Sequence, residues 1–234
     1  MANKMEPQQT AVSYDKLARH WADNAFLARN GIAQHERALQ FSRGAGRAID
    51  IGCGSNGRII DLLLSRGFEV EGLDISSEML ALAKARHPNV LFHHADVCRW
   101  EFPGRYDFIS AWDSIWHVPL DRQAAVLAKL CSGLNPEGVL IFTSGGTDAP
   151  GHVTNPCHGQ PLYHAALGIP HLLRLVNEFG CVCRHLEYDQ HPESHLYLIV
   201  QKRPVPTPPR NGGGPPSTDD SSAAEDSSSF GPRG

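Results

Sequence analysis

Apolar residues near the start of the chain recur with helical spacing. Tyr14, Leu17, Ala18, Trp21 and Ala25 fall at i, i+3 and i+4 intervals, which predicts helix from Tyr14 to about Ser42 with a break at Asn30-Gly31. Past Arg47 the rhythm changes to short apolar runs separated by helical stretches. Strands are predicted over 47–52, 69–74, 90–96, 105–112 and 138–146. Helices are predicted over 58–66, from an N-cap at Ser76 to Pro88-Asn89, and over 121–134, where the turn Asn135-Pro136-Glu137-Gly138 closes the last. Strands alternating with helices imply a parallel sheet covered on both faces. The end of the chain breaks the alternation. A loop over 147–167, rich in Gly, Pro and His, leads to a helix near 169–179 and then to two strands, 181–189 and 194–202, close enough to form an antiparallel hairpin.

Composition sets the limits of the folded unit. The polar residues 1–13 are expected to be disordered, residues 14–203 to form one domain with a helical cap over 14–44, and 204–234, dominated by Pro, Gly, Ser and Asp, to remain a disordered tail. With 41% hydrophobic and 20% charged residues in 234, the chain has the material for one globular core. A net charge of −4 does not suggest a nucleic-acid partner. No apolar run approaches the roughly 20 residues of a membrane span, and the N-terminal residues show no signal-peptide core, so a cytoplasmic protein is expected. Its six cysteines then read as reduced thiols. Cys181 and Cys183 would share one strand face and, with Cys157, could be imagined around a metal. Small buried thiols explain them more simply, and no metal is expected.

The chemistry starts at DIGCGSNG, residues 50–57, a glycine-rich turn between a strand and a helix. Backbone N–H groups and a helix N-terminus at such a turn suit a nucleotide. Gly52 and Gly54 permit close approach, and Asp74, which ends the second strand, can take a ribose hydroxyl pair. These features fit a dinucleotide or S-adenosylmethionine. Asp50 separates the two. Two residues before Gly52, it is expected to face the ligand, where it would repel a pyrophosphate and attract an ammonium and a sulfonium. Asp96, at the end of the third strand, could accept from an adenine amine with Val97 beside the ring.

AIDIGCG (48–54), EGLDIS (71–76), HHADV (93–97), YDFISAWDSIWHVP (106–119) and LNPEGVLIF (134–142) together resemble the class I S-adenosylmethionine-dependent methyltransferases over about residues 14–202. The resemblance implies a doubly wound α/β fold: a seven-stranded, mostly parallel sheet in the order 3-2-1-4-5-7-6, with strand 7 antiparallel. It implies that Asp50, Gly52 and Gly54, with Cys53 between the glycines, hold the methionine end. Asp74 would hold the ribose, Ile75 would pack on adenine and Asp96 would read its amine. In this family the N-terminal segment often closes over the cofactor, a role for Tyr14 and Trp21. Two departures stand out. A frequent third glycine falls one residue later, at Gly57 instead of position 56, and a frequent Pro-Gly-Gly turn reads Pro136-Glu137-Gly138.

Methyl transfer to a small-molecule acceptor is a direct displacement in which alignment dominates. A base is needed only for a nucleophile that still carries its proton. Trp112, Asp113, Trp116 and His117 follow the fourth strand and could line the cleft, with His117 the first candidate base. Tyr163 and His164, more than His152 and His158, are candidates for a substrate wall on the long loop. The competing readings are a cofactor- or partner-binding protein without catalysis and a nicotinamide-dependent oxidoreductase. Both retain the pocket.

Overall fold

The structure, a computed structural model, describes residues 4–23 and 29–205. The chain opens with α1 (Pro7–Asp23) and α2 (Ile32–Leu39). Five strands follow, β1 (Arg47–Ile51), β2 (Glu69–Asp74), β3 (Leu91–His94), β4 (Tyr106–Ala111) and β5 (Leu134–Gly145). Between them run α3 (Arg58–Ser65), α4 (Ser77–Arg86) and α5 (Leu120–Ser132). After β5 come a hairpin, β6 (Gly151–Cys157) and β7 (Gln160–Ala166), then α6 (Ile169–Glu178), β8 (Cys181–Tyr188) and β9 (His195–Lys202).

The main sheet has seven strands in the order β3-β2-β1-β4-β5-β9-β8. β9 runs antiparallel to both neighbours and the remaining pairs are parallel. With β8 and β9 as its sixth and seventh strands, this is the expected 3-2-1-4-5-7-6 arrangement. Apolar side chains leave both faces of the sheet, as a parallel sheet covered on both sides requires. Ile49, Ile109 and Leu140 meet Val126 and Leu130 of α5 and Leu172 and Val176 of α6. Ala48, Phe108 and Ile141 meet Ala38 of α2, Ile60 and Leu63 of α3 and Leu80 and Ala83 of α4. Ser76 caps α4 as expected, its hydroxyl accepting from the Met79 amide at 3.1 Å.

Three sequence expectations need correction. The N-terminus is ordered from Lys4, and helix starts at Pro7, seven residues before Tyr14. Its polar start hides the signal, because it is a cap. Pro7 takes the first helical position, and the Gln9 side chain accepts from the Glu6 amide at 2.8 Å. Met5, Thr10 and Ser13 are buried. The turn expected at 135–138 is absorbed into β5, where Glu137 adopts φ +65° and the register with β4 shifts. The segment read as a loop over 147–167 contains the β6–β7 hairpin. Its two-residue tip, His158-Gly159, has positive φ at both positions, the geometry that hairpin twist demands. Pro156 and Pro161, facing each other across the two strands, disguise the alternation. Ala25 and the tail from residue 206 onward lie outside the described residues.

Candidate active site

The carboxyl ends of β1, β2, β3 and β4 open onto a cleft of about 710 Å³. Local sequence explains why the chain opens there. Gly52 and Gly54 hold left-handed backbone, with φ of +73° and +61°. A Cβ on Gly52 would lie 2.3 Å from the Ser114 Cβ, so a side chain is excluded where the first loop passes the segment after β4. The amides of Gly52 and Cys53 both donate to the Leu73 carbonyl, at 2.7 and 3.0 Å. The amide of Gly54 donates to Asp74 at 2.9 Å, and the Ser76 amide reaches the other oxygen of the same carboxylate at 2.9 Å. The loop therefore turns its donors toward β2 rather than toward a ligand, which corrects the expectation of free amides. Burial raises the Asp74 pKa, and these amide bonds counter part of the effect.

Ile51, Leu73, Ile75, Met79, Ala95 and Val97 give the cleft an apolar slot. Asp96 shares this lining. One of its oxygens accepts from the Cys98 amide at 2.8 Å, while Oδ2 is buried without a partner in the protein. Thr10 Oγ1 and Ser114 Oγ, also on the lining, are buried and unpartnered in the same way. Buried polar atoms seldom lack partners, and three around one cleft suit a ligand with polar ends and a flat apolar middle.

The first helix lies across this cleft. Pro7, Thr10 and Tyr14 face into it. The Ser76 hydroxyl donates to Asp15 at 2.6 Å, and Ser13 donates to the Pro161 carbonyl at 2.8 Å, so α1 is tied to α4 on one side and to β7 on the other. Tyr14 donates to Nε2 of His117 at 2.7 Å, and the Trp116 indole donates to the same nitrogen at 3.0 Å. Because Nε2 accepts, Nδ1 carries the ring proton and donates to the Tyr163 carbonyl at 2.6 Å. Burial, aided by His164, lowers the His117 pKa to about 3. His117 lines the cleft as expected, but it is a neutral ring with its lone pair engaged, so the base assigned to it from sequence is corrected.

The other sequence candidates divide by location. Asp50 lies on the α2–α3 face of β1 and off the cleft lining. It bonds Ser110 and feels the Arg58 charge, and burial lifts its pKa to about 6. Cys53 is buried in the core beneath the loop, where burial pushes its thiol well above the usual value. Trp112 packs against Gly31, His35, His195 and Tyr197 rather than against the cleft. Tyr163 is a core side chain packed with Met5 and Ala165. Trp21 and His164 line a second space, of about 1420 Å³, together with Trp116, His152 and His195. His158 sits at the exposed hairpin tip. Among the described residues no group of three His, Cys, Asp or Glu is placed to hold a metal ion, so Cys157, Cys181 and Cys183 do not form one.

Asp113 is common to both spaces. From sequence it is one of four possible lining residues, and no pattern in the chain points to its network. Oδ1 accepts from Nε2 of His195 at 2.9 Å, and Oδ2 accepts from Asn30 at 2.8 Å. The other ring nitrogen of His195 donates to Asp189 at 2.5 Å. Two carboxylates on one ring require both nitrogens to carry protons. They raise the His195 pKa against its burial. No sequence pattern marks His195, which looks like any residue opening a strand.

Residues 48–138 match the methyltransferase domain family. Over that segment the chain is similar to methyltransferases. It is 30% identical over 99 residues to a dTDP-3-amino-3,6-dideoxy-alpha-D-glucopyranose N,N-dimethyltransferase of Streptomyces fradiae, covering 42% of this chain and 38% of that one. It is 38% identical over 107 residues to a trans-aconitate 2-methyltransferase of an Acidovorax species, covering 44% and 40%. The chain thus spans less than half the length of these curated relatives. A Burkholderia thailandensis 1,6-didemethyltoxoflavin-N1-methyltransferase, solved with S-adenosylhomocysteine, shares the fold with a TM-score of 0.64 and 19% identity, over 87% of this chain and 93% of that one. The matched methyltransferase segment runs from β1 into β5, so it contains Asp74, Asp96, Asp113 and His117 but neither α1 nor the β6–β7 hairpin. Those two elements line the cleft and the second space, and they lie outside the matched segment. No helix among the described residues is long and apolar enough to cross a membrane.

Proposed function

We propose that this chain is an S-adenosylmethionine-dependent methyltransferase acting on a small-molecule acceptor in the cytoplasm. The unpartnered Asp96 Oδ2, on the lining of an apolar slot that also holds the Asp74 carboxylate, carries the reading. Asp96 would accept from the adenine amine between Ile75 and Val97, and Asp74 would accept from the ribose hydroxyls. Gly52, Gly54, Ser114 and Thr10 would surround the methionine end. Bound there, the cofactor supplies an activated methyl group on a sulfonium. Asp50 acts at one remove, through its charge rather than by contact. α1 excludes water from the cleft, and the neutral Tyr14–His117 pair holds α1 to the segment after β4. Asp113 lines both the cleft and the second space, which the acceptor would occupy.

The engaged loop amides support this reading over a dinucleotide. A pyrophosphate needs free N–H groups at the glycine turn, and those of residues 52–54 are given to Leu73 and Asp74. Calorimetric titration with S-adenosylmethionine, S-adenosylhomocysteine and NAD tests it. Micromolar binding of the first two and none of NAD is expected. NAD binding alone would move the assignment to redox chemistry.

A further inference from the structure

We propose that the second space binds a methyl acceptor that carries a protonated amino group as its recognition handle, with the Asp113 carboxylate as the counter-ion of that group and Trp21 and Trp116 as aromatic walls. The word acceptor rests on the methyltransferase reading. The amine site rests on the cavity itself.

The charge balance comes first. Asp189 and His195 are sealed, with side chains 5% and 6% exposed, whereas Asp113 remains 28% exposed. One imidazolium between two carboxylates leaves one negative charge uncompensated, and the open carboxylate is Asp113. Arg58 also feels Asp113, but it feels Asp50 more strongly and its guanidinium is hydrogen-bonded to Asn30 and Asn56, so it forms no ion pair with Asp113. Among the described residues no Lys or Arg lines either space, and Glu193 adds a further acid to the lining of the second. An acceptor bearing a carboxylate or phosphate would meet the exposed Asp113 carboxylate there, while the imidazolium of His195 on the same lining is already engaged by two carboxylates.

Geometry comes second. Asp113 is held by Asn30 and His195 at its two oxygens, by the Thr143 hydroxyl at its amide and by a left-handed backbone at φ +50°. A non-glycine residue rarely keeps that conformation unless its surroundings fix it, and such residues gather at ligand sites. Each Asp113 oxygen has one partner and accepts two, so a free lone pair remains on each. Trp116 packs edge-on to His195 and His164, at 5.2 and 5.4 Å between ring centres, which places its indole beside the carboxylate network. An aromatic ring next to a carboxylate is the common way to hold an ammonium. Trp21 Nε1 and His164 Nδ1, on the same lining, are buried without partners in the protein and offer polar contacts to the rest of the acceptor.

The experiment uses matched probes and the full chain. Phenethylamine, 2-phenylethanol and 3-phenylpropanoate are titrated at pH 7.5 by ligand-observed NMR, with and without S-adenosylhomocysteine. The amine should bind at least ten-fold more tightly than the alcohol, the acid should not bind, and Asp113→Asn should abolish the ten-fold preference. Equal binding of amine and alcohol, measurable binding of the acid, or a preference that survives in folded Asp113→Asn would overturn the proposal. The wild-type series decides even if the variant does not fold. Binding of S-adenosylhomocysteine without amine preference removes this inference alone. Amine preference without S-adenosylhomocysteine binding removes the methyltransferase reading and leaves the amine site standing.

Discussion

The hydroxyl of Tyr14 lies 2.7 Å from Nε2 of His117, joining the first helix to the segment after β4 across the mouth of the cleft. The contact fixes the histidine's chemistry. A nitrogen that accepts from both a phenol and the Trp116 indole has no lone pair to spare, and burial keeps the ring neutral. Tyr14→Phe removes one hydrogen bond and leaves the packing. A net bond of this kind is worth about 0.5–1.5 kcal/mol, so S-adenosylhomocysteine affinity should fall by about two- to thirteen-fold, read by calorimetry.

His117→Ala should act on stability and not on pH dependence. It strands the Tyr163 carbonyl and the Tyr14 hydroxyl, and buried polar groups left alone cost about 1–3 kcal/mol each. A pKa near 3 lies below any working pH, so the pH–rate profile from 6 to 9 should keep its shape. A limb near neutrality that disappears in the variant would restore His117 as a base.

Asp74→Asn tests the cofactor site directly. The carboxylate receives two backbone amides, and an amide side chain can offer an acceptor to only one of them. It also loses the charge assistance toward the proposed ribose hydroxyls. Hydrogen bonds to a charged group are worth about 1.5–3 kcal/mol, so S-adenosylmethionine affinity should fall by about ten- to a hundred-fold. An unchanged affinity would place the ribose elsewhere.

The sheet was legible because parallel strands write themselves as short apolar runs between helices, and the glycine turn and the acids ending β2 and β3 stand at fixed offsets from them. Three things were not legible. α1 begins in polar sequence because its first turn is a cap, and its cleft-facing Thr10 carries no pattern. The β6–β7 hairpin has a register set by two positive-φ residues and interrupted by prolines. Asp113, His195 and Asp189 come from the end of β4, the start of β9 and the turn before it, and only the fold brings them together. Asp50 misled for a related reason. Its parity with Gly52 holds along an ideal strand, but Gly52 has already left the strand at φ +73°.

The two glycines of the turn should differ in their tolerance of a methyl group. Both hold positive φ, which costs an alanine about 1–2 kcal/mol. At Gly54 nothing lies within 4 Å of the added Cβ, so Gly54→Ala should lose about that much stability. At Gly52 the Cβ would meet the Ser114 Cβ at 2.3 Å, and the loop after β4 must move. Gly52→Ala should therefore be the more destabilised of the pair in denaturant unfolding and should lose cofactor binding. Equal stability losses would show that the Ser114 segment yields freely.

Asp50→Asn should reveal the cost of the buried carboxylate through pH. Desolvation lifts the Asp50 pKa from an ordinary 3.8 to about 6, against the Ser110 hydrogen bond and the Arg58 charge, which act the other way. A folded-state pKa above the unfolded one means that the native state holds the proton more tightly. The resulting stabilisation is fully present below about pH 4 and is lost as pH rises through about 6. A shift of about 2 units corresponds to about 3 kcal/mol. His35 and His117 run in the opposite sense, since their pKa values are lowered to about 4 and about 3 and their contributions are lost as pH falls below about 6.5. Both histidines are present in wild type and variant, so they cancel in the difference. Asparagine cannot ionise, so the stability of Asp50→Asn relative to wild type should rise by up to about 3 kcal/mol between pH 4 and pH 7.5, measured by urea unfolding at intervals across the range. A difference that stays flat would mean that Asp50 is ionised throughout and that Arg58 neutralises it fully.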